Sequence, residues 1–226
     1  MFKRIFLTAA LVVALAAPAA AEVNGIYGGL KFIDSIQNTG AMSKGDDVNV
    51  FGIDQYGQNT VGGGIFVGYD FFPKFDVPIR AEVEYALRTN MNTTWDKSYT
   101  DGVNTAKSEI EAQWNLQTLF FNAYWDFHNS TAFTPYIGAG LGMGFIHSSY
   151  DQTIYVNGQK LDSGSKSYQN TVFAWNVGLG CSYAFNENIS ADLAYRFVGL
   201  SYYEPIGGLG MSPYANEFSL GLRFTF

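Results

Sequence analysis

The chain has 226 residues, 17% of them aromatic and 25 of them glycine, with one cysteine and a formal net charge of −7. That length is one domain, a lone Cys181 excludes an internal disulfide, and the acidic balance lacks the basic footprint that nucleic acid or an anionic membrane surface requires. Residues 1–21 carry the three parts of a secretory leader: Lys3 and Arg4, an apolar stretch over 5–17, and Ala19-Ala20-Ala21 at the cleavage point. Cleavage would leave a mature domain at 22–226 with 11 basic and 20 acidic side chains, a net charge of −9. Beyond the leader, no apolar run is long enough for a membrane-spanning helix.

From residue 24 onward the chain alternates with the two-residue period of β-strands. The first predicted strand, 24–36, sets Ile26, Leu30 and Phe32 against Tyr27, Gly29 and Lys31. A polar stretch over 37–59 reads as a long loop. The second strand, 60–72, puts Val61, Ile65, Val67, Tyr69 and Phe71 on one face. A short break leads to the third, 78–89, where Ile79, Ala81, Val83, Tyr85 and Leu87 oppose Arg80, Glu82, Glu84 and Arg88. A second long loop covers 90–108.

The fourth strand, 109–127, changes phase. Its first half sets Ile110, Ala112, Trp114 and Leu116 against Glu109, Glu111, Gln113 and Asn115. Its second half sets Leu119, Phe121, Ala123, Trp125 and Phe127 against Asn122, Tyr124 and Asp126. A β-bulge within 116–119 would flip the parity; alternatively, the first half stands beyond the membrane. The fifth strand, 133–147, alternates Ile137, Ala139, Leu141, Met143 and Phe145 with glycines. A loop over 148–170 precedes the sixth strand, 171–185, which carries Phe173, Trp175, Val177, Leu179, Cys181 and Tyr183 on its apolar face. The seventh, 189–201, opposes Leu193, Tyr195 and Phe197 to Ser190, Asp192 and Arg196. After a loop at 202–213 the eighth ends on Phe218, Leu220, Leu222, Phe224 and Phe226, facing away from Glu217 and Arg223.

Eight strands separated by breaks that run long, short, long, short, long, short, long describe an all-β, antiparallel transmembrane barrel, an up-and-down meander with short periplasmic turns and four longer extracellular loops. A soluble lipocalin-type barrel has the same period turned inside out. Charged and glycine-rich faces are unsuited to an apolar cup, however. Aromatics also gather near the strand ends: Phe71, Trp125, Phe127 and Phe185 at the short-turn end, Trp114 and Trp175 nearer the other, as interfacial girdles do.

RAEVEYALRT, FFNAYWDF, TPYIGAGLGMGF, NVGLGCSYAFNENISADLAYRF and FSLGLRFTF, taken in order, resemble the opacity-type outer-membrane β-barrel family, which groups with the small barrels similar to outer membrane protein A. The resemblance implies a monomeric eight-stranded barrel of Gram-negative outer membranes. It also implies that Phe224 and Phe226 form a signal for the barrel assembly machinery. It implies no single function, since members include adhesins, structural barrels, resistance proteins and proteins loosely called porins.

The polar parity collects Arg80, Glu82, Glu84, Arg88, Glu109, Glu111, Asp126, Asp192, Arg196, Glu217 and Arg223. An eight-stranded interior is about wide enough for side chains to fill, so these charges are expected to pair across the lumen as a plug rather than line an ion path. His147, Ser149 and Asp151 contain the residue types of a barrel lipid A hydrolase, but Tyr150 stands where that family has Asn. His128 and His147 are too far apart for a metal pair, and no calcium-loop spacing is present. The expected role is a structural or adhesin-like surface protein acting through its loops on a host or surface ligand. The alternative is a narrow porin-like passive channel; a lipid A hydrolase ranks third. Catalytic residues, cofactors and metals are not expected, and the surroundings are outer-membrane lipid and lipopolysaccharide. Tyr56, Trp95, Tyr99, Tyr150, Tyr155 and Tyr168 in the loops read equally as partner anchors or headgroup aromatics.

Overall fold

The computed structural model describes residues 25–45 and 53–226. The predicted leader therefore lies outside the described residues. Strands β1 (Ile26–Lys44), β2 (Gly57–Asp70), β3 (Ile79–Arg88), β5 (Thr105–Asp126), β6 (Phe133–Val156), β7 (Gln159–Ala184), β8 (Ile189–Leu200) and β10 (Leu209–Thr225) form an antiparallel ring that β1 closes against β10. Two further strands, β4 (Met91–Thr100) and β9 (Tyr203–Ile206), pair with β5 and β10 above the ring. A four-residue helix, α1 (Phe72–Phe75), sits in the first short turn, with Pro73 in its first turn and Asp76 left-handed at its end. At the seam, the backbone N–H of Phe226 donates to the Ile26 carbonyl at 3.0 Å.

The outward face of the lower barrel is apolar. Phe32, Val67, Phe121, Leu141, Phe173, Leu193 and Phe218 are each exposed by half or more. At about 3.3 Å per residue and a tilt near 40°, ten residues climb roughly 25 Å, the height of a lipid-facing band. On β1 that band runs from Ile26 to Ile36. Trp125, Phe127 and Phe185 point outward at its lower edge, and Trp175 points outward near its upper edge.

The strands do not stop there. β6 and β7 have 24 and 26 residues, joined by a two-residue turn in which Asn157 and Gly158 both take positive φ. That is the type I′ geometry that matches strand twist. Most of the stretches expected to be loops are thus paired β-structure: β4 runs into β5 through a turn at 101–104, and β9 into β10 through Gly207-Gly208. Of the first expected loop, only residues 46–52 lie outside the described residues.

Above the membrane the ring divides. Pairing between β7 and β8 begins only at Ala174, and pairing between β1 and β2 ends at Asn38. What rises further is one sheet of β4, β5, β6 and β7 and a second of β1, β10 and β9. Their facing surfaces enclose an apolar core of Met91, Trp95, Ile110, Trp114, Leu116, Ile146, Tyr150, Tyr203, Leu209 and Met211. Water now surrounds the wall, so the apolar side chains turn inward, as in a soluble sandwich.

This arrangement decides the phase change of the fourth predicted strand. β5 pairs β6 without a register shift from Ala106↔Val156 to Asp126↔Tyr136. No bulge occurs at 116–119; the even-numbered side chains face inward throughout. They are polar where the outside is lipid (Asn122, Tyr124, Asp126) and apolar where the outside is water (Ile110, Ala112, Trp114, Leu116). The extra residue lies on the neighbouring strand: Leu87 pairs Gln117 but Met91 pairs Trp114, so β3 and β4 are one wall strand bulged at 88–90. The Asn115 amide holds that bulge, donating to the Arg88 carbonyl at 2.7 Å. Trp114 is accordingly 5% exposed, inside the core and not in a girdle. Trp95 and Tyr150 are buried beside it, and Tyr56 and Tyr168 pack against the same cluster. Of the six loop aromatics that read equally as partner anchors or headgroup aromatics, Tyr99 is exposed.

Trp114→Ala should remove about 3–5 kcal/mol of stability, read from the urea midpoint in bilayers, whereas Trp125→Ala on the lipid face should cost much less. Burial pushes the Tyr150 phenol up to about 12, against the opposing hydrogen bond from Trp114 Nε1 at 3.0 Å. The folded state therefore holds this proton more tightly than the unfolded chain. The stability it lends is complete below about pH 10 and is lost as pH rises towards 12. Tyr150→Phe should flatten that alkaline loss.

Candidate functional site: the charged lumen

The third predicted strand's charged face becomes the inner wall of β3. Across from it, β10 contributes Glu217, and β8 contributes Arg196. The centre of the network is a chain of alternating sign. Arg88 makes a two-pronged contact with Glu217, with Nη2 donating to Oε2 at 3.0 Å. Arg196 bridges Glu217 at 2.8 Å and Glu84 at 2.8 Å. Lys31 joins Glu84 to Glu82, the latter at 3.3 Å. Hydroxyls add to the shell: Ser35 donates to Glu217 at 2.8 Å and Tyr124 to Glu82 at 3.1 Å. Glu84 and Glu217 have no exposed side-chain surface.

Two further pairs lie off this chain. Arg80 forks onto Asp126, with Nη2 donating to Oδ1 at 2.9 Å, and its guanidinium lies 4.9 Å from the Tyr124 ring centroid. Arg223 faces Asp192 at 3.6 Å and also donates to Ser190 and Ser182. Nine of the eleven charges expected in the lumen are thus inside the barrel. Glu109 and Glu111 are not: both point outward above the membrane, where Lys107 holds Glu109 at 2.8 Å.

Sequence reasoning missed Lys31. The signal was present, because Lys31 shares parity with Tyr27 and Gly29. The nine charges that do enter the lumen are four cations and five anions, and Lys31 makes the signs equal. Inward glycines make room for the long side chains. A Cβ at Gly178 would meet Arg196 Cβ at 2.8 Å, and one at Gly138 would meet the Tyr124 ring at 2.4 Å. A cavity of about 40 Å³ remains beside this network, lined in part by Lys31, Arg80, Glu82, Asp192 and Arg196. Above it stand the Arg196–Glu84–Glu217–Arg88 contacts, and above those the apolar core.

The residues of the third-ranked lipid A reading make no hydrogen bond with one another. Ser149 Oγ lies 3.3 Å from Ser167 Oγ, and His147 and Asp151 are exposed on the outer wall. Ser148 points the other way and is buried.

A closed antiparallel ring of eight, apolar outside and charged inside over a membrane's height, defines an integral outer-membrane β-barrel. The chain belongs to the outer membrane protein β-barrel domain family, whose model matches residues 5–226. It is similar to the outer membrane protein PagN of Salmonella typhimurium, with 33% identity over 184 residues, 75% of this chain and 74% of PagN. Its fold is also that of Neisserial surface protein A, with a TM-score of 0.54 at 18% identity, covering 89% of this chain and 97% of that one. The protein resides in the bacterial outer membrane.

Glu217 compensates both Arg88 and Arg196, so Glu217→Gln should leave buried charge uncompensated and cost about 3–5 kcal/mol in urea unfolding. Asp192→Asn, which touches the longer Arg223 contact, should cost much less.

Proposed function

We propose that the protein is a non-conducting, non-enzymatic surface protein whose raised extracellular sheets hold their hairpin ends towards a host or surface ligand. The observation that carries this reading is the apolar core at Trp95, Trp114, Tyr150 and Met211. It fills the wall above the membrane and turns what would be loops into a rigid pedestal. The lumen is then obstructed twice, by paired charges within the membrane and by this core above it. Function that depends on contact is left to the ends of the hairpins, where Tyr99, Val103 and Leu161 are 77%, 87% and 70% exposed. Large side chains at such exposed positions are the type that anchor protein partners.

The same reading takes residues 1–21 as the cleaved leader, Phe224 and Phe226 as the signal for the assembly machinery, and the barrel as a monomer needing no cofactor. A passive channel would require both obstructions to open together.

Two measurements test the proposal. Refolded mature protein in a planar bilayer should give no discrete current steps; reproducible steps would overturn the sealed lumen. Cells displaying the protein should adhere to host-cell monolayers more than cells without it. The Tyr99→Ser, Val103→Ser, Leu161→Ser triple variant should lose that gain while its barrel still shows the folded form's faster migration in unboiled gels.

A further inference from the structure

Asp34 is the exception on the lipid face. The neighbouring side chains on β1, Ile33 and Ser35, are buried in the lumen, so Asp34 points outward between Phe32 and Ile36, which are 54% and 47% exposed. Its cross-strand partners are Val61 on β2 and Phe218 on β10, both exposed and apolar. Eight residues above Ile26, it stands roughly 20 Å up a band of about 25 Å, one outward position below the upper edge. Among the described residues, no other charged side chain lies on this face of the band.

The chain pairs the nearby polar groups of the same face and leaves this one alone. Tyr195 donates its hydroxyl to Asn216 Oδ1 at 2.7 Å, and Tyr85 donates to Gln117. Asn216 sits diagonally from Asp34, opposite Ile36. Asp34 itself has no hydrogen bond or ion pair with the described residues, and no Lys or Arg shares its face on β1, β2 or β10. A carboxylate can only accept hydrogen bonds, and leaving one bare against hydrocarbon is costly. A donor supplied by the lipid at that depth would offset this cost.

We propose that Asp34 is a binding site for an outer-leaflet glycolipid, accepting hydrogen bonds from hydroxyl or amide N–H groups where its acyl chains join its sugars. Phosphatidylcholine has neither donor, whereas lipid A has both. Phe32, Ile36, Val61 and Phe218 would pack the adjoining acyl chains. This site rests on the fold and its place in the membrane and is independent of the attachment reading.

The test compares wild type and Asp34→Leu in phosphatidylcholine vesicles with and without lipid A, scoring the urea midpoint and the lipid A retained per barrel after mild detergent extraction. Without lipid A, Asp34→Leu should raise the midpoint, because it removes a charge from an apolar surface. With lipid A, it should lower the midpoint and reduce retention several-fold, while Asp34→Asn, which keeps an acceptor oxygen, should hold part of both. A Leu variant stabilised equally in both vesicles, or without effect in either, would overturn the site. So would a lipid A preference that chelation of divalent cations abolishes, since the carboxylate would then be acting through a metal ion on lipid phosphate.

Discussion

A β-strand has two faces and no third choice, and this wall passes through two solvents. Within the bilayer the outer face must be apolar, so the inner face holds whatever polar groups remain. Above the bilayer the outer face meets water, so the apolar residues belong inside. The strands run through this boundary without changing side. The backbone continues, the hydrogen-bonded register of β5 on β6 continues, and only the chemistry of each face exchanges near residues 116–119. The rest of the molecule depends on that exchange. Below it the lumen is a set of ion pairs; above it the interior is Trp, Met, Leu and Tyr.

The two interiors are held by different physics. An apolar core gains by contact and tolerates some exchange of shape. A buried ion network gains little net stability, but each member is costly to orphan. Arg196 touches both Glu84 and Glu217, far apart in sequence, and so ties β8 to β3 and β10. A slip of one residue in any of these strands would turn its charges towards lipid. The network therefore acts on register more than on total stability, which is the use of buried charge best suited to a closed sheet.

Much of this is legible in the sequence, and most of the part that is not has one cause. Alternation places all eight wall strands, and parity places Arg80, Glu84, Arg88, Arg196 and Glu217 in the lumen. The extracellular half escapes because a polar stretch resembles a loop. Ser163 to Gln169 is polar, yet it is strand, because its pairing with β6 and its exposed position on the pedestal both permit polar side chains. The Asn157-Gly158 pair, flanked by β-prone residues, is the available hairpin signal. Trp114 shows the same error from the other side: an apolar residue near a strand end reads as a girdle only if the membrane is assumed to continue. Lys31 is easily lost because its strand is otherwise poor in inward charge, although it shares parity with Tyr27 and Gly29.

The inversion also bears on why the surface portion is stiff. A loop of about twenty residues tethered at two points would lose much conformational entropy on meeting a partner. Here that entropy has already been lost in folding, through cross-strand pairing and the core beneath it. Among the described residues, the turns at 101–104, 157–158 and 207–208 and the side chains around them remain to be ordered. A surface built this way presents few contact groups, but it presents them at fixed spacing, with Asn157 already hydrogen-bonded to Asn104 and Thr105 across two adjacent hairpins. If the hairpin ends meet a ligand as proposed, such a surface would do so at small entropic cost.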